Sequence, residues 1–151
     1  MRCAPVTPEL WVGPYPDDRA DFDFLKSQGI TAILSLQTPE DLPQREPGWE
    51  ESAAQSASLA FKNVPVTDFD TLDLKYQLPK CVKALDDLLS AGHRVYLHCT
   101  AGVNRSPTVA AAYLHWCLDW PLEQALAHVK EVRNCVPLGD VIQRAQRPAR
   151  K

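Results

Sequence analysis

The sequence predicts an α/β fold: a central, mostly parallel sheet of about four or five strands flanked by helices. Three observations carry that expectation. Short runs of apolar and often β-branched residues, such as ITAILSL at 30–36, AFKNVPV at 60–66 and RVYLH at 94–98, read as strands. Between them stand segments whose apolar residues recur at helical spacing. Strands that alternate with helices pair in parallel, because each helix carries the chain back to the same end of the sheet. With 151 residues, 45% of them hydrophobic, the chain suits one domain around one core, spanning 1–151.

The elements are read in chain order. LWVG at 10–13 is a short strand, closed by a turn at Pro14 and Pro16. Residues 17–28 form a helix with Ala20, Phe24 and Leu25 on one face, and Gly29 stops it. After the 30–36 strand, residues 38–48 hold three prolines and form a loop. Residues 49–59 make a small-residue helix, and 60–66 a strand. DFDTLD at 68–73 is an acidic loop in which Asp73 suits a helix cap. Residues 75–91 form an amphipathic helix with Leu78, Val82, Leu85 and Leu89 on one stripe, ended by Gly92. A strand at 94–98 leads through a glycine-containing loop to a helix over about 106–118. Pro121 sits in the first turn of the next helix, which runs to about Arg133, and Pro137 opens the last. From Arg147 the tail is basic and expected to fray.

Composition narrows the function classes. Net charge is −3, from 16 basic and 19 acidic residues, which disfavours a nucleic-acid or membrane-surface partner. The first residues carry no apolar signal segment, and the longest apolar stretch, 107–118, is too short to span a bilayer. The expected setting is the cytoplasm. Five cysteines, an odd number, read as free thiols, and without a CxxC pair no metal site is expected.

The chemistry concentrates in VYLHCTAGVNRS at 95–106. The segment runs from a buried strand into a helix start, where backbone N–H groups lack intrahelical partners and the dipole favours an anion. Five residues (Thr100, Ala101, Gly102, Val103 and Asn104) separate Cys99 from Arg105, enough for a tight loop that turns its amides inward. Gly102 relieves the curve. Cys99 is the candidate nucleophile, since a helix end and a nearby cation favour the reactive thiolate. Arg105 can grip two phosphate oxygens and Ser106 can hydrogen-bond the sulfur. His98 points to the other face of its strand and orients the loop. A lone cysteine is ordinarily a packing residue. The constellation with Gly102, Arg105 and Ser106 is not something packing requires. The leaving oxygen needs a proton, and Asp68, Asp70 and Asp73 are the candidates on the preceding loop.

His-Cys-x5-Arg-Ser resembles the signature of protein tyrosine phosphatases, and the short chain resembles their dual-specificity branch. The resemblance implies a phosphocysteine formed on Cys99, an acid and base supplied by the first loop Asp, which is Asp68, and no metal or cofactor. The likeness extends over most of residues 10–145 to the plant glucan phosphatases. It rests on Leu36-Gln37, on DFD at 68–70 through Leu74 with QLPK at 77–80, on CTAG at 99–102, and on Arg133, Cys135, Pro137 and Ile142. It implies that Phe69 stacks on a sugar ring and that Trp49 is the approximate match for a second glycan-contacting aromatic. Asn104 and Ser106 depart from the Gly and Ala that those enzymes carry beside the signature Arg. The expected substrate is a phosphorylated glucan, with a phosphoprotein as the alternative and a non-catalytic phosphate- or glycan-binding module as a third reading. The absence of a basic residue within 100–104 disfavours a phosphoinositide.

Overall fold

The structure is a computed structural model and describes residues 1–147. Strands β1 (Ala4–Thr7), β2 (Leu10–Gly13), β3 (Ala32–Ser35), β4 (Ala60–Asn63) and β5 (Val95–His98) form one sheet in the spatial order β1-β2-β5-β3-β4. All pairs are parallel except β1 with β2. Every side chain of β3 and β5 is buried, as in a strand covered by helices on both faces. Central β5 divides its side chains by alternation. Val95 and Leu97 join the larger core, followed by Cys99 on the same side. Tyr96 faces the smaller core.

Helices α3 (Thr71–Ser90), α4 (Arg105–Trp116), α5 (Leu122–Val132) and α6 (Gly139–Arg144) cover the larger core, and α1 (Arg19–Ser27) and α2 (Trp49–Ser56) the smaller. Helix α4 is buried along its whole length except at His115. Its Ala110, Ala111 and Ala112 let neighbouring elements approach closely, so the helix leaving the signature segment is the centre of the domain.

Three sequence expectations are corrected. Strand β1 was not foreseen: only Val6 of its four side chains is buried, and Pro5 reads as a breaker, yet an edge strand tolerates proline. Helix α3 begins at Thr71 rather than at 75, and its cap is Asp70, whose carboxylate accepts from Asp73 N at 2.9 Å. Asp73, expected as the cap, instead accepts from Thr67 N at 2.8 Å and so closes the acidic loop. The 38–48 loop contains a 3-10 turn, Pro39–Asp41, in which Thr38 and Asp41 form a capping box. The expected fraying from Arg147 lies outside the described residues for 148–151. Arg147 itself donates to Trp116 O at 2.6 Å.

Candidate active site

The loop from Cys99 to Asn104 joins β5 to α4, and its carbonyls explain its shape. Each carbonyl from 99 to 103 is bound from outside the loop's concave face. His98 Nδ1 meets Cys99 O at 2.8 Å, and Tyr15 N donates to Thr100 O at 3.1 Å. Arg133 spans two more, with Nη2 to Ala101 O at 2.8 Å and Nε to Gly102 O at 2.9 Å. Val136 N donates to Val103 O at 2.7 Å. A peptide group is planar and trans, so carbonyls turned outward turn the N–H groups inward. Gly102 has φ +72°, and a Cβ there would lie 2.7 Å from the Gly13 carbonyl carbon and 2.7 Å from Arg133 Nη2. Only glycine fits that position.

Three buried side chains converge where the loop meets α4. Cys99 is 2% exposed, and its Sγ lies 3.3 Å from Ser106 Oγ. Arg105 is 3% exposed and reaches back under the loop. Its Nη1 donates to Val66 O at 2.8 Å and Asp41 Oδ2 at 3.1 Å; its Nη2 donates to Asp41 Oδ1 at 2.6 Å and Thr100 Oγ1 at 3.2 Å. The remaining donor, Nε, is buried without a hydrogen bond. Asp68 Oδ1 stands 3.3 Å from that Nε, close enough for charge attraction but misaligned for a hydrogen bond.

Asp41 was not foreseen from sequence. Thr38 N and Oγ1, Thr100 Oγ1 and both terminal nitrogens of Arg105 all donate to its carboxylate. Burial pushes this carboxyl up. The hydrogen bonds from Arg105, Thr100 and Thr38, with the Arg105 charge, outweigh that and bring its pKa down to about 2. Burial likewise opposes the Arg105 charge, but Asp41 and the neighbouring Cys99 and Asp68 hold its pKa above the ordinary value. The available sequence signal was T-P-E-D at 38–41, a helix-start pattern inside a stretch read as loop. Arg133 and Gln37 also support the loop, the latter through Gln37 Nε2 donating to Thr100 Oγ1 at 2.9 Å.

His98 is fully buried, stacks on Tyr96, and presents Nε2 to the Glu50 carboxylate from α2. Thus the strand face opposite Cys99 reaches the loop through one imidazole. Of the other thiols, Cys81 is pushed up to about 12, chiefly by burial, and burial also raises Cys3 and Cys135.

The two expected aromatics stand in different surroundings. Phe69 is 94% exposed, with φ +60° immediately after Asp68. Trp49 packs edge-on against Phe22 at 5.9 Å, with the Arg45 guanidinium 3.8 Å over its ring. It lines a groove of about 520 Å³ with Tyr15, Gln37, Phe61 and Asn63. That groove reaches the signature loop through Gln37 but does not include Phe69.

Residues 10–143 match the family described as "Dual specificity phosphatase, catalytic domain". The chain belongs to that family. Among its relatives, phosphoglucan phosphatase LSF1, chloroplastic, of Arabidopsis thaliana is 34% identical over 143 residues, covering 91% of this chain and 24% of that protein. Phosphoglucan phosphatase DSP4, amyloplastic, of Castanea sativa is 33% identical, covering 93% and 38%. Laforin of Mus musculus is 27% identical, covering 97% and 48%. The chain therefore spans about a quarter to a half of the length of these relatives. The crystal structure of human tyrosine phosphatase-like serine/threonine/tyrosine-interacting protein superposes with a TM-score of 0.76 at 22% identity, covering 95% of this chain and 93% of that one. That likeness concerns the fold. No helix among the described residues is long and apolar enough to cross a membrane.

Proposed function

We propose that this domain hydrolyses phosphate monoesters of a glucan without a metal, through a phosphocysteine on Cys99. The observation that carries the reading is the signature loop itself. Its outward-held carbonyls turn the loop's N–H groups inward around Cys99, and the Arg105 Nε is a buried donor without a hydrogen bond. A phosphoryl group with three equatorial oxygens satisfies that set of donors.

In the first step the Cys99 thiolate attacks phosphorus, and the bond to the ester oxygen breaks. Asp68 gives its proton to the departing oxygen. In the second step Asp68, now a carboxylate, takes a proton from water as the water oxygen attacks phosphorus. Inorganic phosphate leaves, and the sulfur regains its electron pair beside Ser106. Thr100, Ala101, Gly102, Val103 and Asn104 cradle the phosphate, and His98 fixes the loop by its contact with Cys99 O. Asp70 is committed to capping α3, which supports Asp68 as the acid.

The glucan reading draws on Phe69, an aromatic ring almost wholly in solvent beside the proposed acid, and on the two plant relatives. An exposed ring can stack on a sugar face, whereas a packing role would have buried it. We keep the cytoplasm as the proposed setting. The two plant relatives' names place those proteins in a chloroplast and an amyloplast, and cell fractionation decides between a plastid and the cytoplasm.

The test compares phosphate release from amylopectin or glycogen with release from phosphopeptides, using a small aryl phosphate as reference. Aryl phosphate hydrolysis that vanadate and Cys99→Ser block, and chelator leaves unchanged, supports the chemistry. Faster release from glucan supports the substrate. A wide margin in favour of peptides assigns a protein phosphatase instead, and phosphate binding without turnover assigns a binding module.

A further inference from the structure

A second cavity of about 580 Å³, which shares no lining residue with the Trp49 groove, opens where α3, α5 and α6 meet. Lys75 from α3, Lys130 from α5 and Arg144 from α6 line it, with Asp140 its single carboxylate. Among the described residues none of the three cations is in an ion pair; Lys75 Nζ lies 5.2 Å from the Tyr76 ring, and Lys130 acts through its charge on the Cys135 thiol. Like charges gathered in one cavity repel, and this chain is acidic as a whole. Three helices nevertheless each contribute one cation to the same space. Leu126, Leu138 and Val141 supply an apolar floor beneath them.

Two of the cavity's lining residues adjoin the catalytic loops along the chain. Its Thr71 follows Asp68 by three residues, with the exposed Phe69 between. Its Pro137 follows Val136, whose N–H is bonded to Val103 O in the signature loop. Leu138 N donates to Thr108 Oγ1 in the first turn of α4 at 2.9 Å, which fixes this wall to the helix that carries Arg105. The Trp49 groove has the reverse polarity, with Glu40, Glu46, Glu50 and Glu51 against Arg45. The acidic groove joins the signature loop through Gln37 and the basic cavity joins it through the Val136–Val103 bond, so the two meet it at different points.

We infer that the Lys75–Lys130–Arg144 cavity is an anion subsite for a second phosphate ester on the same glucan chain. The inference rests on the glucan phosphatase reading. It gives the domain a direction: a further ester lies toward α5 and α6, and the uncharged part of the chain lies along the aromatic groove. A phosphate dianion suits the donors, because the Arg144 fork can take two oxygens while the lysines act as point charges. The subsite selects densely phosphorylated chains and contributes nothing to a substrate with one ester.

The test uses the triple variant K75A/K130A/R144A, beside K75R/K130R/R144K as a control that keeps the charges. Both are assayed on a small aryl phosphate, a glucan with one phosphate per chain and a glucan with several. For the alanine variant, kcat/KM on the densely phosphorylated glucan is expected to fall about tenfold, mostly through KM. Aryl phosphate and singly phosphorylated glucan stay within about twofold, because charges away from the reacting atoms, exposed at Lys130 and Arg144 and half-buried at Lys75, contribute little there. The charge-keeping variant retains the preference, and high salt removes it from the wild type. An equal fall on both glucans, or no fall on either, overturns the subsite while leaving the glucan reading in place. Aryl phosphate turnover without phosphate release from any glucan overturns the glucan reading and the subsite together.

Discussion

Replacing Asp41 by alanine removes the carboxylate that both terminal nitrogens of Arg105 hold. Both side chains are only 3% exposed, so the change leaves a buried guanidinium without its counter-charge. Breaking a buried pair in this way costs about 3–5 kcal/mol. The shift of the Asp41 carboxyl leads to a similar magnitude. The Asp41 pKa falls from 3.8 to about 2 on folding, which corresponds to about 2 kcal/mol of stability at neutral pH. Because the folded value is the lower one, this contribution is complete above the unfolded pKa and fades as pH drops toward 2. Urea denaturation of wild type and Asp41→Ala should therefore differ by about 3 kcal/mol at pH 7, and by about 1 kcal/mol less at pH 3. Turnover of an aryl phosphate should fall about 100-fold, since Arg105 loses the anchor that aims its Nε at the loop. A gap under about 1 kcal/mol at pH 7, or the same gap at both pH values, would refute the argument.

Three further perturbations separate the parts of the site. Gly102→Ala forces a Cβ against the Gly13 carbonyl and Arg133 at φ +72°, so calorimetry should give a loss of about 2–4 kcal/mol together with loss of phosphate turnover. A near-native melting temperature contradicts this. Asp68→Asn should slow an alkyl phosphate about 100-fold and an aryl phosphate with a good leaving group much less, because only the poor leaving group needs the proton. Full activity on the alkyl ester removes Asp68 from the mechanism. Phe69→Ala should lower kcat/KM on phosphoglucan about tenfold and leave aryl phosphate unchanged, since the ring touches solvent rather than core. An equal loss on both substrates makes Phe69 a loop-shaping residue instead.

What the sequence revealed follows from how local each feature is. Strands β3 and β5 were visible because both faces are covered and their residues are almost all apolar or small, with His98 at the end of β5 buried through its bonds to Cys99 O and Glu50. Strand β1 was hidden because an edge strand with one buried side chain leaves almost no pattern. The signature loop could be read directly, since Cys99, Gly102, Arg105 and Ser106 are neighbours along the chain. The groups that shape that loop could not. Asp41 lies 64 residues from Arg105, and Arg133 lies 31 residues from Gly102, so only the fold brings them together. The sequence points to Asp73 as the α3 cap because it stands just before the helix read from 75. Asp70 wins because a cap three residues earlier adds a whole turn of helix and frees Asp73 to close the loop.

The central claim is that phosphate passes through the sulfur of Cys99. Acid-quenching the enzyme during turnover of an aryl phosphate, followed by peptide mass mapping, tests it most directly. The account predicts one added phosphoryl group on the peptide containing Cys99, absent from Cys99→Ser and accumulating when Asp68→Asn slows hydrolysis of the intermediate. Undiminished turnover by Cys99→Ser, or a phosphoryl group mapped to another residue, would contradict it.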